Sequence, residues 1–327
     1  MKKRFLPAAF WTMLAAAALT TVLRVIITPR MQETDTGVFK VSYFIIGFML
    51  AAVAVLAVMT MAGRRGIYHL NDIPRRERMP VSVSAIVLGF ALIISSVFDW
   101  WQWIAFGLTP PPNERVISGL DAATLAATLA FGVMAGIFFV YLGHKLVGEG
   151  PVISPVFSLA ALTPVIWIWV RIVRYEISYS SAIPVEQSFY DFVMVISSML
   201  FLFSFSKYIS KTAKQGTTRQ PVPFFSLCAA MMSLSGTVTS VLLYMLGETD
   251  AYNASRLAGF VDFCIGVFAL CTSVVLIFGS RPSDNGELKR DEEDITAGAE
   301  EQSESLQPEQ KTPTVDEILD DLRRNDY

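Results

Sequence analysis

Residues 41 to 61 read VSYFIIGFMLAAVAVLAVMTM, an apolar run from Val41 to Met61 without one charged side chain. About 20 such residues are what a helix needs to cross roughly 30 Å of hydrocarbon. Seven further runs of similar length lie around it: Phe5 to Ile27, Val81 to Phe106, Leu120 to Leu142, Pro155 to Val173, Phe189 to Ser206, Pro223 to Leu246 and Leu257 to Phe278. Buried helices of a soluble protein are shorter and keep a polar stripe, and eight in succession would leave nothing to face water. Barrel strands would alternate in polarity over about 10 residues, a pattern this chain lacks. The reading is an all-helical membrane protein of eight spans.

An offset of 147 residues matches Arg24 with Arg171, Tyr43 with Tyr190 and Arg64 with Lys211 without a gap. The first and second stretches then correspond to the fifth and sixth, and Ser118-Gly119-Leu120 echoes Ser255-Arg256-Leu257. Two parallel four-helix halves are expected, residues 1–146 and 147–279, related by a pseudo-twofold axis along the membrane normal.

Lys and Arg in the connections set the orientation. One set of ends holds thirteen (Lys2, Lys3, Arg4, Arg64, Arg65, Arg75, Arg76, Arg78, Lys145, Lys207, Lys211, Lys214 and Arg219), against five on the other (Arg30, Lys40, Arg115, Arg174 and Arg256). Both termini are therefore expected in the cytoplasm. Lys2-Lys3-Arg4 before an alanine-rich run imitates a signal peptide. The run continues to Ile27 and has a counterpart in the repeat, so it reads as an uncleaved helix.

The composition breaks at Ser280. From there to Tyr327 the net charge is −9, leaving +6 on the rest of a chain whose total is −3. Residues 280–312, rich in Glu, Ser, Gln and Pro, read as a disordered acidic linker that anionic headgroups would repel. Residues 313–327 read as a short amphipathic helix: Thr314 and Glu317 form a capping box, and Val315, Ile318, Leu319 and Leu322 share one face. So short a helix is marginal alone in water. It is either a fraying end or a motif, residues 314–324, that docks into a groove on a cytoplasmic protein.

Polar groups inside the stretches carry the functional reading, since an ionised side chain at the bilayer centre costs about 3 kcal/mol or more. Arg24, Asp99, Asp121, Arg171, Asp191 and Asp262 all fall toward the outward end, with signs that permit pairing. Trp100, Trp101, Trp103, Trp167, Trp169, Tyr175, Tyr179 and Tyr190 crowd the same level. The candidate ligand-binding set is Arg24, Asp99, Trp103, Arg171, Tyr190, Asp191 and Asp262, an outward vestibule whose ring faces and carboxylates suit an organic cation. The competing reading of the aromatics is an interfacial belt with Arg171 and Arg174 snorkelling, and it takes most of them. Asp99 and Asp262 are expected to be buried with partners. The inner half reads as dry, with Thr60 and Ser206 its polar residues.

Small residues on the fourth stretch, including the Gly132/Gly136 GxxxG, mark it for close packing. Pro164 should bend the fifth or free a carbonyl. Cys228, Cys264 and Cys271 form neither a CxxC nor a loop pair and read as packing residues. No phosphate loop, nucleophile elbow or HExxH occurs, and His69 and His144 lack ligand spacing, so no catalytic residue, metal ligand or cofactor is assigned. Asn253-Ala254-Ser255 is a sequon by pattern alone. The arginines from Arg64 to Arg78 are explained by topology and lipid headgroups rather than nucleic acid.

Leu23-Arg24 followed by Glu33-Thr34-Asp35-Thr36-Gly37-Val38-Phe39 resembles the opening of uncharacterised multi-pass membrane proteins of Gram-positive anaerobic bacteria, some of which end in a short acidic amphipathic helix. The likeness covers the first two helices and the tail. It implies a bacterial cytoplasmic membrane and no known activity. On the residues alone, Glu33 and Asp35 stand within reach of Arg24 or Arg30. Three functions remain: a non-enzymatic scaffold or sensor with a docking tail, a transporter or ligand-binding bundle, and a membrane-embedded enzyme resting only on Asp99 and its neighbours. A polar path through the inner half would favour the second.

Overall fold

The computed structural model describes residues 5–31, 38–62, 73–102, 104–105, 119–148, 154–177, 185–210, 221–247 and 259–279. Residues 28–31, 38–43, 119–121, 175–177 and 185–189 are described by their backbone only. The described residues form helices α1 (Phe5–Met31), α2 (Val38–Ala62), α3 (Arg75–Gln102), α4 (Gly119–Val147), α5 (Pro155–Ala160), α6 (Thr163–Ile177), α7 (Val185–Ile209), α8 (Val222–Met245) and α9 (Phe260–Phe278), with no strand among them. They supply eight spans long and apolar enough to cross a membrane, α5 and α6 together making one. The linker and terminal helix expected at 280–327 lie outside the described residues, as do Trp103, Tyr179, Glu33, Asp35, His69 and Asn253.

Six spans close into a ring, in the order α3, α4, α6, α7, α8, α9 and back to α3. Helix α1 packs on the outside of α8, and α2 packs on α1. Burial follows that order: 78% of the α8 span is enclosed against 17% of α2. The most extensive interfaces, α3 with α4 and α8 with α9, would be counterparts under the repeat expected from the sequence. Other pairings lack that symmetry: α8 packs broadly on α7 and α1, whereas α3 makes no comparable pairing with α2 or α6.

The α3–α4 interface is set by glycine. A Cβ on Gly89 would stand 2.7 Å from the carbonyl oxygen of Gly136, and one on Gly136 equally close to that of Gly89. Only hydrogen lets the two backbones approach so closely, which spends the GxxxG of α4 inside the chain. Two turns on, the Ser82 hydroxyl donates to the Gly143 carbonyl at 2.6 Å.

The middle of the ring is filled. Phe268 of α9 packs its ring against Phe139 of α4 at 5.3 Å and against Phe201 and Phe205 of α7 at 5.7 and 5.0 Å. All four are below 2% exposed. Such rings in edge and tilted contact make a plug rather than a channel.

Two expectations need correcting. The fifth stretch is not one helix: α5 ends at Ala160, two turn residues follow, and α6 starts at Thr163. Pro164 has no N–H for the carbonyl of Ala160, so the ladder opens there. The Thr163 hydroxyl takes that carbonyl at 2.7 Å, and the Ser206 hydroxyl of α7 takes the carbonyl of Ala161. Neither freed oxygen is left unbonded inside the bundle. Secondly, Arg75, Arg76 and Arg78 belong to the first turn of α3 rather than to a loop. Pro80 breaks the ladder there only to the carbonyl of exposed Arg76, which water can serve.

Candidate functional site

Asp262 enters the site through the way α9 begins. Its backbone N–H donates to the Gly259 carbonyl at 3.0 Å, and its carboxylate accepts the Gly259 N–H at 3.0 Å. That reciprocal closure satisfies amides which a helix start leaves without partners. The same carboxylate accepts both terminal nitrogens of Arg171 from α6, each at 2.7 Å. Asp262 is 1% exposed and Arg171 17%. A planar guanidinium meeting a carboxylate through two parallel bonds is the strongest form of such a pair. The Arg171 guanidinium also lies 5.5 Å from the ring centre of Trp167, one turn earlier on α6.

Arg24 and Asp191 make the second charged group. Arg24, 6% exposed near the end of α1, lies 4.5 Å over the ring of Tyr190 in α7, and Asp191, 4% exposed, acts on it through its charge. Gly236 of α8 makes room: a Cβ there would meet Met194 Sδ at 3.2 Å and Arg24 Nη1 at 3.9 Å. The groups are not isolated from one another, because Arg171 also feels the charges of Asp99 and Asp191. Arg24, Arg171, Tyr190, Asp191 and Asp262 thus gather at one end of the bundle, fixed by α1, α6, α7 and α9.

Asp99 differs from expectation. Since α3 ends at Gln102, Asp99 stands in its last turn and meets Arg174 at 3.6 Å, with the side chains 40% and 35% exposed. It is a rim pair rather than a buried one. The rim also explains the aromatics: Trp101 and Trp169 are exposed, as a belt requires, whereas Trp167 is 4% exposed and part of the core. The side chain of Asp121 is outside the described residues.

The half of the bundle that holds Thr60 and Ser206 is not dry, which corrects the sequence reading. Ser198 of α7 faces Ser233 of α8 with their hydroxyl oxygens 3.2 Å apart, and the Ser273 hydroxyl of α9 donates to Ser226 of α8 at 2.8 Å. Ser226, Ser233 and Ser240 recur every seven residues on one buried face of α8, a period present in the sequence but inconspicuous because serine is common in apolar helices. Carbonyls of their own helices take part as well: Ser273 shares its one proton between Ser226 and the Ala269 carbonyl, and Ser240 donates to Gly236. The result is a seam of satisfied hydroxyls beside the phenylalanine plug.

Among the described residues no three His, Cys, Asp or Glu side chains gather as a metal would need. Cys228 and Cys264 are free and buried, and Cys271 is free and partly buried. No family model, curated protein or solved structure matches the chain.

Proposed function

We propose that this chain is a non-enzymatic membrane scaffold or sensor, held in a bacterial cytoplasmic membrane with both termini inside and residues 314–324 presented to a cytoplasmic partner. The observation that carries the reading is the pairing of Arg171 with Asp262, 17% and 1% exposed, above the closed plug around Phe268. Charges so costly in a membrane are spent on each other and on fixing helix positions. A buried pair of this kind specifies one arrangement of helices and is a natural element for a two-state device. In a sensor, a ligand or a change of membrane state at the charged end would alter that pairing and the helices it ties, and the tail would report the change. The two four-helix halves belong to this proposal as its evolutionary frame.

The second reading, a transporter with the charged cluster as its outward site, is favoured by the hydroxyl seam through α7, α8 and α9. The two separate cleanly by experiment. In proteoliposomes, a transporter moves organic cations at a rate that falls with Asp262→Asn and with Ser233→Leu. A scaffold or sensor moves none, and a cytoplasmic protein crosslinked to its tail is lost with Leu319→Asp/Leu322→Asp while membrane insertion stays unchanged. If the wild-type tail retrieves nothing that this double variant loses, the scaffold reading fails.

A further inference from the structure

Helix α3 opens at the end of the bundle opposite the charged cluster, with three arginines in its first turn. Arg75 and Arg76 are exposed, and Arg78 is not: it is 7% exposed and lies on the face that continues through buried Ser82, Ala85, Leu88 and Leu92. Its Nε and Nη1 are both buried and have no hydrogen-bond partner among the described residues. Buried N–H groups are nearly always bonded, so two on one side chain call for an acceptor.

The surroundings narrow what that acceptor is. The carbonyl ends of α4 and α9 reach the same level, Ser82 touching Gly143 and Gly279 lying beside Ile73 and Glu77. Their partial negative charge favours a cation there without giving Nε or Nη1 a bond. The Glu77 carboxylate is turned toward Gly279, its Oε2 3.4 Å from where a Cβ on that residue would stand. In the opening of α3 the amides of Glu77 and Arg78 are already taken by the Pro74 carbonyl, at 2.9 and 3.2 Å, so the first two amides and the dipole remain for an anion. Nε and Nη1 lie on different edges of the guanidinium, and either edge, completed by Nη2, makes a fork that beside a helix N-terminus matches the tetrahedral oxygens of a phosphate. Below the turn, Met79, Val83, Val87, Phe90 and Ile94 form an exposed apolar stripe down α3, along which acyl chains can lie.

We infer that the first turn of α3 is a phosphate-binding site, built by Arg78 with Arg75 and Arg76, for the headgroup of an anionic phospholipid or a free phosphate. Arg78 supplies the fork. Arg75 and Arg76 supply attraction from the surface and disfavour headgroups that carry a choline or ethanolamine cation. The inference is independent of the role proposed for the charged cluster and the tail.

The test uses the delipidated full chain in detergent, titrated with phosphatidylglycerol, phosphatidylcholine and inorganic phosphate, with native mass spectrometry and thermal unfolding as readouts. Wild type should hold phosphatidylglycerol at least about fivefold more tightly than phosphatidylcholine, the order of effect one well-placed arginine has on an anionic lipid. Arg78→Gln should erase that preference, and Arg75→Gln/Arg76→Gln should weaken it without erasing it. Competition by millimolar phosphate assigns the site to free phosphate, and its failure assigns the site to lipid. Phosphatidylglycerol binding by Arg78→Gln equal to wild type overturns the inference, as does the absence of binding by any of the three probes. Should Arg78→Gln not fold, Arg78→Lys decides: it keeps the charge and loses the fork, so unchanged binding overturns the site and weakened binding supports it.

Discussion

One carboxylate, that of Asp262, closes the start of α9, neutralises Arg171 and ties α9 to α6. Removing it leaves a guanidinium enclosed without its partner, a change that typically costs about 3 to 5 kcal/mol. The pair of Asp99 and Arg174 is longer, at 3.6 Å, and its members are more than a third exposed, so its loss should cost under about 1 kcal/mol. Asp262→Ala is therefore expected to lower thermal stability in detergent far more than Asp99→Ala. The double variant Arg171→Met/Asp262→Leu should recover a large part of the loss, because an apolar pair of similar volume avoids desolvating two charges. Equal small effects for Asp262→Ala and Asp99→Ala would show that the Asp262 pair is not energetically buried. Which charges meet was only partly legible in the chain: the residues stood out, but the difference between Asp99 and Asp262 depends on where α3 stops and on which helix faces it.

At the scale of elements, the sequence announces where helices lie and says less about what they touch. Length and hydropathy are local properties, so all eight spans could be read. The division of α5 from α6 could be anticipated from Pro164, but not the hydroxyl of Ser206, which comes from another helix to serve the freed Ala161 carbonyl. Glycines show the same limit. Gly47 and Gly89 look alike in their apolar runs, yet a Cβ on Gly47 would meet nothing within 4 Å and one on Gly89 would meet the Gly136 backbone and Val140. Backbone cannot yield as a flexible side chain can, so Gly89→Ala and Gly136→Ala should each destabilise by about 1 to 3 kcal/mol. Gly47→Ala, inside the peripheral α2, should be neutral or stabilising by up to about 1 kcal/mol through helix propensity. Thermal unfolding of the three variants side by side checks the ordering, and a Gly89→Ala protein as stable as wild type would mean that α3 and α4 are not in close backbone contact.

For the molecule as a whole, the ring of six spans and the plug at its centre arise from contacts between distant segments, which is why the chain alone does not announce them. Phe139, Phe201, Phe205 and Phe268 are scattered through three apolar runs, where phenylalanine is unremarked, and only packing brings them together. The number of spans, by contrast, has a consequence that needs no contact information. Eight crossings would return the chain to the side where it began, so Met1 and Tyr327 are expected to share a compartment. The thirteen-to-five bias of Lys and Arg is the ground on which that compartment is proposed to be the cytoplasm. Negative residues contribute little to orientation, so the acidic tail should not oppose this. An epitope tag at either terminus is expected to react only after the cells are permeabilised, while a tag placed between Pro112 and Asn113 should react on intact cells. Tags at the two termini that differ in accessibility would remove the even number of crossings, and two that both react on intact cells would invert the bundle. Inversion would carry the charged cluster to the cytoplasm and the tail outside, and with it would go the proposal that residues 314–324 recruit a cytoplasmic partner.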